Sequence, residues 1–320
     1  MSIFSNSESD WRRLEALLER SRLSMAKLSP AEIREMALLY RALIHVLSRL
    51  RGCGDQPSGE MRLNHLAQRA HACIYSTSPT SWRDVWHYFT VRFPRCFRKN
   101  SQWIALAALL FLAGVLVAIV TVTLDPSTEA YFLPPSTIEN LDHGILWTDA
   151  LGPHPSESSF LMSNNIRVAM NAFALGAFFG VGTLLVLFQN GLYALGGPLI
   201  ICFRHGMGLR LLSFIAAHGL IELLTVFIAG GAGMLIGFTV LFPGTRSHWS
   251  ALQQAASEAL VLIVGCLPLL VIAGLIEGMI SLNRQVALPE RLAISFVSLI
   301  FLVLYLGFCG ARNSKQAISG

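Results

Sequence analysis

Polar and apolar positions divide the chain into two contrasting parts. From Trp11 onward the apolar residues recur at helical spacing: Trp11, Leu14, Leu17 and Leu18 mark one face of a first helix. Ser29, Pro30 and Glu32 then supply an N-cap, a proline at the first helical position and a glutamate at the third. This capping box opens a helix from about Pro30 to Arg51. Gly52-Cys53-Gly54 and Pro57-Ser58-Gly59 end that helix, and a third is predicted over Glu60–Tyr75, so residues 1–80 read as a cytoplasmic three-helix domain. A turn at Ser78-Pro79-Thr80 follows.

Beyond that turn the periodicity gives way to long apolar runs. Trp103–Leu124 carries no charge and is long enough for a hydrocarbon core of about 30 Å, so it is the first span. A second is predicted over Arg167–Phe188, followed by a cytoplasmic turn bearing Arg204 and Arg210. The third run, Leu211–Phe242, is too long for one upright helix and is interrupted at His218-Gly219. A short half-helix, a break and a full span from Leu220 are expected there. Leu260–Leu282 and Leu292–Phe308 make a fourth and a fifth span. The predicted fold is all-α: a polytopic transmembrane bundle of about five spans over residues 101–310, an N-terminal helical domain, and a polar tail at 311–320. With five spans the two ends of the bundle lie on opposite sides; if the third run crosses twice, the signs of the last loops reverse.

Composition agrees with a membrane assignment. The chain has 53% hydrophobic and 13% charged residues, too few charges to cover a soluble globule of 320 residues. Charge is also unevenly placed, since residues 1–100 hold 16 of the 24 Lys and Arg but 9 of the 19 Asp and Glu. The juxtamembrane stretch 81–100 interleaves Trp82, Trp86, Tyr88, Phe89, Phe93 and Phe97 with five cations, which suits a helix lying in the headgroup layer. Nucleic-acid binding is the weaker reading of that patch, because it abuts a span and carries no recognition motif.

Cations just before the first span place the N-terminus in the cytoplasm of a bacterial inner membrane. The loop 125–165 supports that orientation: it has six acidic residues and no Lys or Arg, and reads as external. No signal peptide with a cleavage site opens the chain, so the first span is expected to act as the targeting signal. The six cysteines show neither a disulfide framework nor metal spacing.

Three spans carry a pair of glycines four apart: Gly176 and Gly180, Gly233 and Gly237, and Gly274 and Gly278. Glycines at this spacing permit close backbone approach in lipid, which predicts tight packing of these spans and allows a homo-oligomer. Ionisable residues inside a span cost about 2.5–3.5 kcal/mol each on insertion scales. His218, Glu222 and Glu277 therefore require an account. His218 and Glu222 share a helical face, and all three are predicted near the cytoplasmic ends of their spans, where they could meet in one layer. Two readings stand: a polar pocket for an ion, a proton or a lipid headgroup, or a structural lock at the broken helix. Asn164, Asn165, Arg167 and Asn171 are expected to cap the second span at its outer end. The sequence names no cofactor and leaves open whether a metal is bound. Metalloprotease, serine-hydrolase and phosphate-loop motifs are absent, and a non-catalytic protein is expected.

Several segments together resemble the stage II sporulation protein M family, also called the DUF95 integral membrane proteins. They are LSPAEIREMALLYRALIHVLSRLR from Leu28, LNHLAQRAHACIY from Leu63, FTVRFPRCFRKN from Phe89, NNIRVAMNAFALGAFFGVGT from Asn164, FQNGL from Phe188, AHGLIELLTVFIAGGAGMLIG from Ala216 and GLIEG from Gly274. The family usually has a proline before the histidine, and Ala217 stands there. The resemblance implies a membrane component that brings cell-wall hydrolases together. It points to a scaffold or anchor for envelope-remodelling partners, membrane or envelope proteins among them, embedded in the lipid bilayer. The alternative is a transporter or channel using the intramembrane His and Glu residues.

Overall fold

The computed structural model describes residues 5–21, 28–53, 57–75, 81–151, 155–283 and 285–311. The turn at Ser78-Pro79-Thr80, Gly54, Arg284 and the tail 312–320 lie outside the described residues. Among those described every regular element is helical, and the chain forms two compact units, Met1–Asp84 and Val85–Gly320.

The first unit contains α1 (Ser5–Ser21), α2 (Pro30–Cys53) and α3 (Pro57–Tyr75). Ser29 and Glu32 close the capping box at the start of α2: the Ser29 amide donates to Glu32 Oε2 at 2.8 Å and the Glu32 amide to Ser29 Oγ at 3.3 Å. These hydrogen bonds, with Arg20 alongside, hold the Glu32 carboxyl down at about 2. Trp11, Leu14, Leu17 and Leu18 face Met36, Leu43 and Leu47 of α2 and Leu66 and Ala70 of α3 in one apolar core.

In the second unit five helices are long and apolar enough to cross a membrane: Ser101–Leu124, Val181–Arg204, Gly219–Leu241, His248–Ser281 and Leu288–Phe308. The first is α6; α4 (Trp82–His87) and α5 (Phe93–Lys99), joined by a π-helical turn at Tyr88–Arg92, precede it. From Tyr88 onward one side of this segment packs against the membrane unit, while Arg92, Arg95 and Lys99 stay exposed. Phe93 is fully buried against Gly265, Tyr88 Oη donates to the Val261 carbonyl at 2.9 Å, and Tyr305 Oη donates to the Phe89 carbonyl at 2.7 Å. Arg98 donates to the Leu306 and Cys309 carbonyls at 2.6 and 2.9 Å, supplying partners to the end of the last helix.

The largest departure from the sequence expectation is the second span. Arg167–Phe188 is not one helix. The chain forms α8 (Pro155–Ala174), bends at Gly176–Gly180, and continues through α9 (Val181–Gln189), a π-helical segment and α10 (Gly197–Arg204). Thr183 Oγ1 donates to the Ala172 carbonyl at 2.6 Å across the bend, and Gly180 takes φ +79°, which suits a residue without a Cβ. The α8–α9 pair is thus a helical hairpin. α8 runs beside α12 (Gly219–Leu241), with Asn165 at the level of Glu222 and Gly176 and Gly180 against Gly233 and Gly237.

This hairpin changes the topology. The legs are α6, α8, α9–α10, α12, α13 (His248–Ile276) and α14 (Leu288–Phe308). With six legs both ends of the bundle share one face, as Arg95 shows by donating to the Gly310 carbonyl at 2.6 Å.

The same reversal moves Arg204 and Arg210. They do not form a turn away from the acidic loop; Arg204 pairs with Glu129 at 2.8 Å and Arg210 with Asp149 at 2.7 Å. Residues 155–165, assigned to the loop from sequence, belong to α8. The rest of the loop, which contains α7 (Pro135–Asp142), is fastened from beneath by Leu141 and Leu146, which pack on Ile201, Cys202, Met207 and Leu211.

Candidate functional site

The third apolar run divides into α11 (Gly208–Ala216) and α12, with a turn at Ala217-His218. His218 takes φ −112° and starts α12, its carbonyl accepting from the Ile221 amide at 3.0 Å. Glu222 follows in the first turn, where the exposed amide dipoles of a helix N-terminus favour a carboxylate. The i,i+4 spacing sets both side chains on one face.

Glu277 arrives from the end of α13, where the helix widens into a π turn over Glu277–Ser281. Such a turn brings residues four apart onto nearly one face, and both Glu277 and Ser281 are buried there. Ser281 Oγ lies 2.7 Å from His218 Nδ1 and fixes the ring. The opposite ring nitrogen, Nε2, points between two carboxylates: it is 3.7 Å from Glu222 Oε2 and 3.7 Å from Glu277 Oε1. One donor atom from each of the three residues falls within 4.8 Å of the others. All three side chains are at most 10% exposed. Phe214 of α11 packs edge-on to the imidazole at 5.5 Å.

The cluster sits on the face of the acidic loop. The sequence had placed it at the opposite end, an error that follows directly from counting α8–α10 as a single crossing. Asn165 is also reassigned. It is half-buried well inside α8 and hydrogen-bonds the Glu222 side chain, so it belongs to the cluster and caps no helix. Asn164, Arg167 and Asn171 are exposed on α8 and do not join it.

A cleft of about 480 Å³ opens beside the cluster. Loop residues Leu146, Thr148 and Asp149 form one wall, Ser213 and Phe214 of α11 another, and Ser281 and Arg291 the third. Arg291 donates to the Ser213 and Asn283 carbonyls, at 3.3 and 2.9 Å, and to the Ser213 hydroxyl at 3.4 Å, while its buried Nε has no partner. Ser281 is common to the cleft and the cluster, and so connects them. No signal in the sequence marks Ser281, because the π turn that directs it inward leaves no local motif.

Of the predicted packing glycines, Gly176, Gly180, Gly233 and Gly237 meet as facing pairs between the α8–α9 bend and α12. Gly274 is buried against Met162, and Gly278 is half-buried within the π turn.

Comparison with known families is decisive for more than half of the chain: residues 107–282 match stage II sporulation protein M. This chain belongs to the stage II sporulation protein M family. The segment that places it there contains Asn165, His218, Glu222, Glu277 and Ser281, so the whole cluster lies within the family domain. The three-helix unit matches separately, over residues 4–76, a domain of unknown function. Neither a curated protein nor a solved structure matches this family member.

Proposed function

We propose that the protein is a non-catalytic scaffold of the bacterial cytoplasmic membrane that anchors partners engaged in remodelling the cell envelope. The observation that carries this reading is the way the acidic loop is held. Glu129 is gripped by both Arg204 and His205, His205 also reaches Asp142 at 2.6 Å, and Arg210 ties Asp149 and the Gly144 carbonyl. A loop pinned at several points to the helix ends beneath it is a preformed platform, and a preformed surface binds without an ordering cost.

Orientation follows from the charge rule. Arg92, Arg95, Arg98 and Lys99 precede α6 on the face opposite to the loop, so that face is cytoplasmic and the loop looks outward. The three-helix unit then offers a second surface, in the cytoplasm. Both partner classes are proteins, and assembly into homo-oligomers is compatible with the scaffold.

A second reading, transport of an ion or proton, is favoured by the buried His218, Glu222 and Glu277 beneath a cleft. The two are separated by purifying the protein from native membranes in mild detergent and identifying co-purifying proteins by mass spectrometry, for wild type and Glu222→Gln/Glu277→Gln. Envelope proteins retained by both support the scaffold. Absence of any envelope partner from wild type, together with ion flux in vesicles that the double variant lacks, would replace it with transport.

A further inference from the structure

We infer that His218, Glu222 and Glu277 form a binding site for one divalent transition-metal ion of the zinc class, reached through the cleft on the loop face. This goes beyond the scaffold reading and stands independently of it.

Donor geometry is the first argument. His218 Nε2 lies 3.7 Å from an oxygen of each glutamate, beyond hydrogen-bonding distance. Ligands bound tetrahedrally to zinc at 2.0–2.2 Å are about 3.4 Å apart, so small side-chain adjustments bring the three donors onto one ion. The second argument is an unsatisfied atom. Glu277 is 2% exposed, and its Oε2 has no hydrogen-bond partner. Buried carboxylate oxygens are costly unless paired, and a metal ion answers that need when Glu277, whose Oε1 is the oxygen near His218, binds it through both oxygens.

Supporting contacts agree. Ser281 Oγ lies 2.7 Å from His218 Nδ1, and a proton carried on Nδ1 and donated to that hydroxyl would leave the Nε2 lone pair toward the carboxylates, which is how metal-binding histidines are commonly fixed. Asn165 does the same for Glu222. Charge balance is compatible with this, because two glutamates that bind as carboxylates beside a neutral imidazole would offset the charge of a dication. Arg291 on the cleft wall donates through its terminal nitrogens to the Ser213 and Asn283 carbonyls and the Ser213 hydroxyl, its Nε has no partner, and among the described residues it pairs with neither carboxylate. One imidazole and two carboxylates form a nitrogen and oxygen donor set suited to zinc, manganese or iron. Three protein donors leave a fourth position, and Ser281 places the cleft next to it.

The test uses the full chain in mild detergent. The metal content of wild type is measured by mass spectrometry, the protein is stripped with a chelator, and zinc chloride is titrated back by calorimetry. The expected result is about one zinc per chain in wild type, with binding abolished in Glu222→Gln/Glu277→Gln, and weakened about 10–100-fold in Ser281→Ala. X-ray absorption of the wild-type zinc complex keeps the test independent of whether the variants fold. It should show only nitrogen and oxygen neighbours at about 2.0–2.2 Å, imidazole among them. Failure of stripped wild type to take up zinc, sulfur in the zinc environment, or equal uptake by a monodisperse double variant would overturn the assignment.

Discussion

Gly176 and Gly233 meet backbone to backbone: a Cβ on Gly176 would fall onto the Gly233 peptide. One turn further, a Cβ on Gly237 would collide with the backbone of Gly180. The two glycine pairs therefore set both the distance and the register between α12 and the α8–α9 bend, a type of contact that stabilises helices in lipid through close packing. Gly233→Leu is expected to abolish recovery of monodisperse protein, since overpacking costs of about 1–3 kcal/mol already apply to much smaller insertions. Gly307→Leu is the control. It faces open space on α14 and should leave the elution profile unchanged.

Six legs predict a labelling pattern that five would not. In a cysteine-free background, Ser127→Cys and Gly206→Cys should react with a membrane-impermeant maleimide from the same side, because Arg204 and His205 touch the loop that contains Ser127. Ser247→Cys should react only from the other side, where Lys99 pairs with Glu258 near the start of α13. With five crossings and a single span at 167–188, positions 127 and 206 would label from opposite sides.

The loop platform carries a pH dependence. Burial works against a charged His205, but hydrogen bonds and charge from Glu129 and Asp142 outweigh it and raise the imidazole pKa above its ordinary 6.5. A folded-state value above the unfolded one stabilises the fold fully at pH below about 6.5 and loses that contribution as pH climbs through the raised value. Protease protection of the loop is expected to fall from pH 6 to pH 8 in wild type. His205→Gln should flatten that trend, and a dependence persisting unchanged in the variant would assign it to another group.

Phe93 fills a slot against Gly265 and is fully buried in the main core of the membrane unit. Phe93→Ala should cost about 3–5 kcal/mol, through lost burial and the cavity left behind. A lowered midpoint of thermal unfolding in detergent would register it. Trp86→Ala, a change at an exposed residue seven positions before the start of α5, should leave the midpoint near that of wild type.

Much of this architecture was legible in the sequence, because hydropathy and capping are local signals. The capping box at Ser29 and Glu32 and the break at His218 needed only neighbouring residues. The second span failed for a physical reason. Asn164, Asn165, Arg167 and Asn171 lower the hydropathy of α8 until it reads as a span end, whereas Asn165 is paired with a buried glutamate and the other three are exposed on a helix that runs beside α12. Apolar content cannot distinguish the bend at Gly180 from an uninterrupted helix, since the residues immediately flanking it, 172–179 and 181–188, are almost all apolar or small. The sequence did anticipate five long apolar helices, but reading 167–188 as one of them without the turn back from α8 reversed the assigned face of His218, Glu222 and Glu277. Their convergence in one layer was still within reach, whereas Ser281 was not, because a π turn depends on packing and not on local pattern.

The hydrogen bonds from Arg98 to Leu306 and Cys309 join residues separated by more than two hundred positions. Arg98 leaves the ribosome long before its acceptors exist, and Phe93 and Tyr88 wait equally for α13 and α14. The segment at the front of the membrane unit is consequently the last to be locked. Nascent chains stalled before α14 emerges would hold an open bundle, accessible to chaperones and quality-control proteases, and only the arrival of the final helix would shut it.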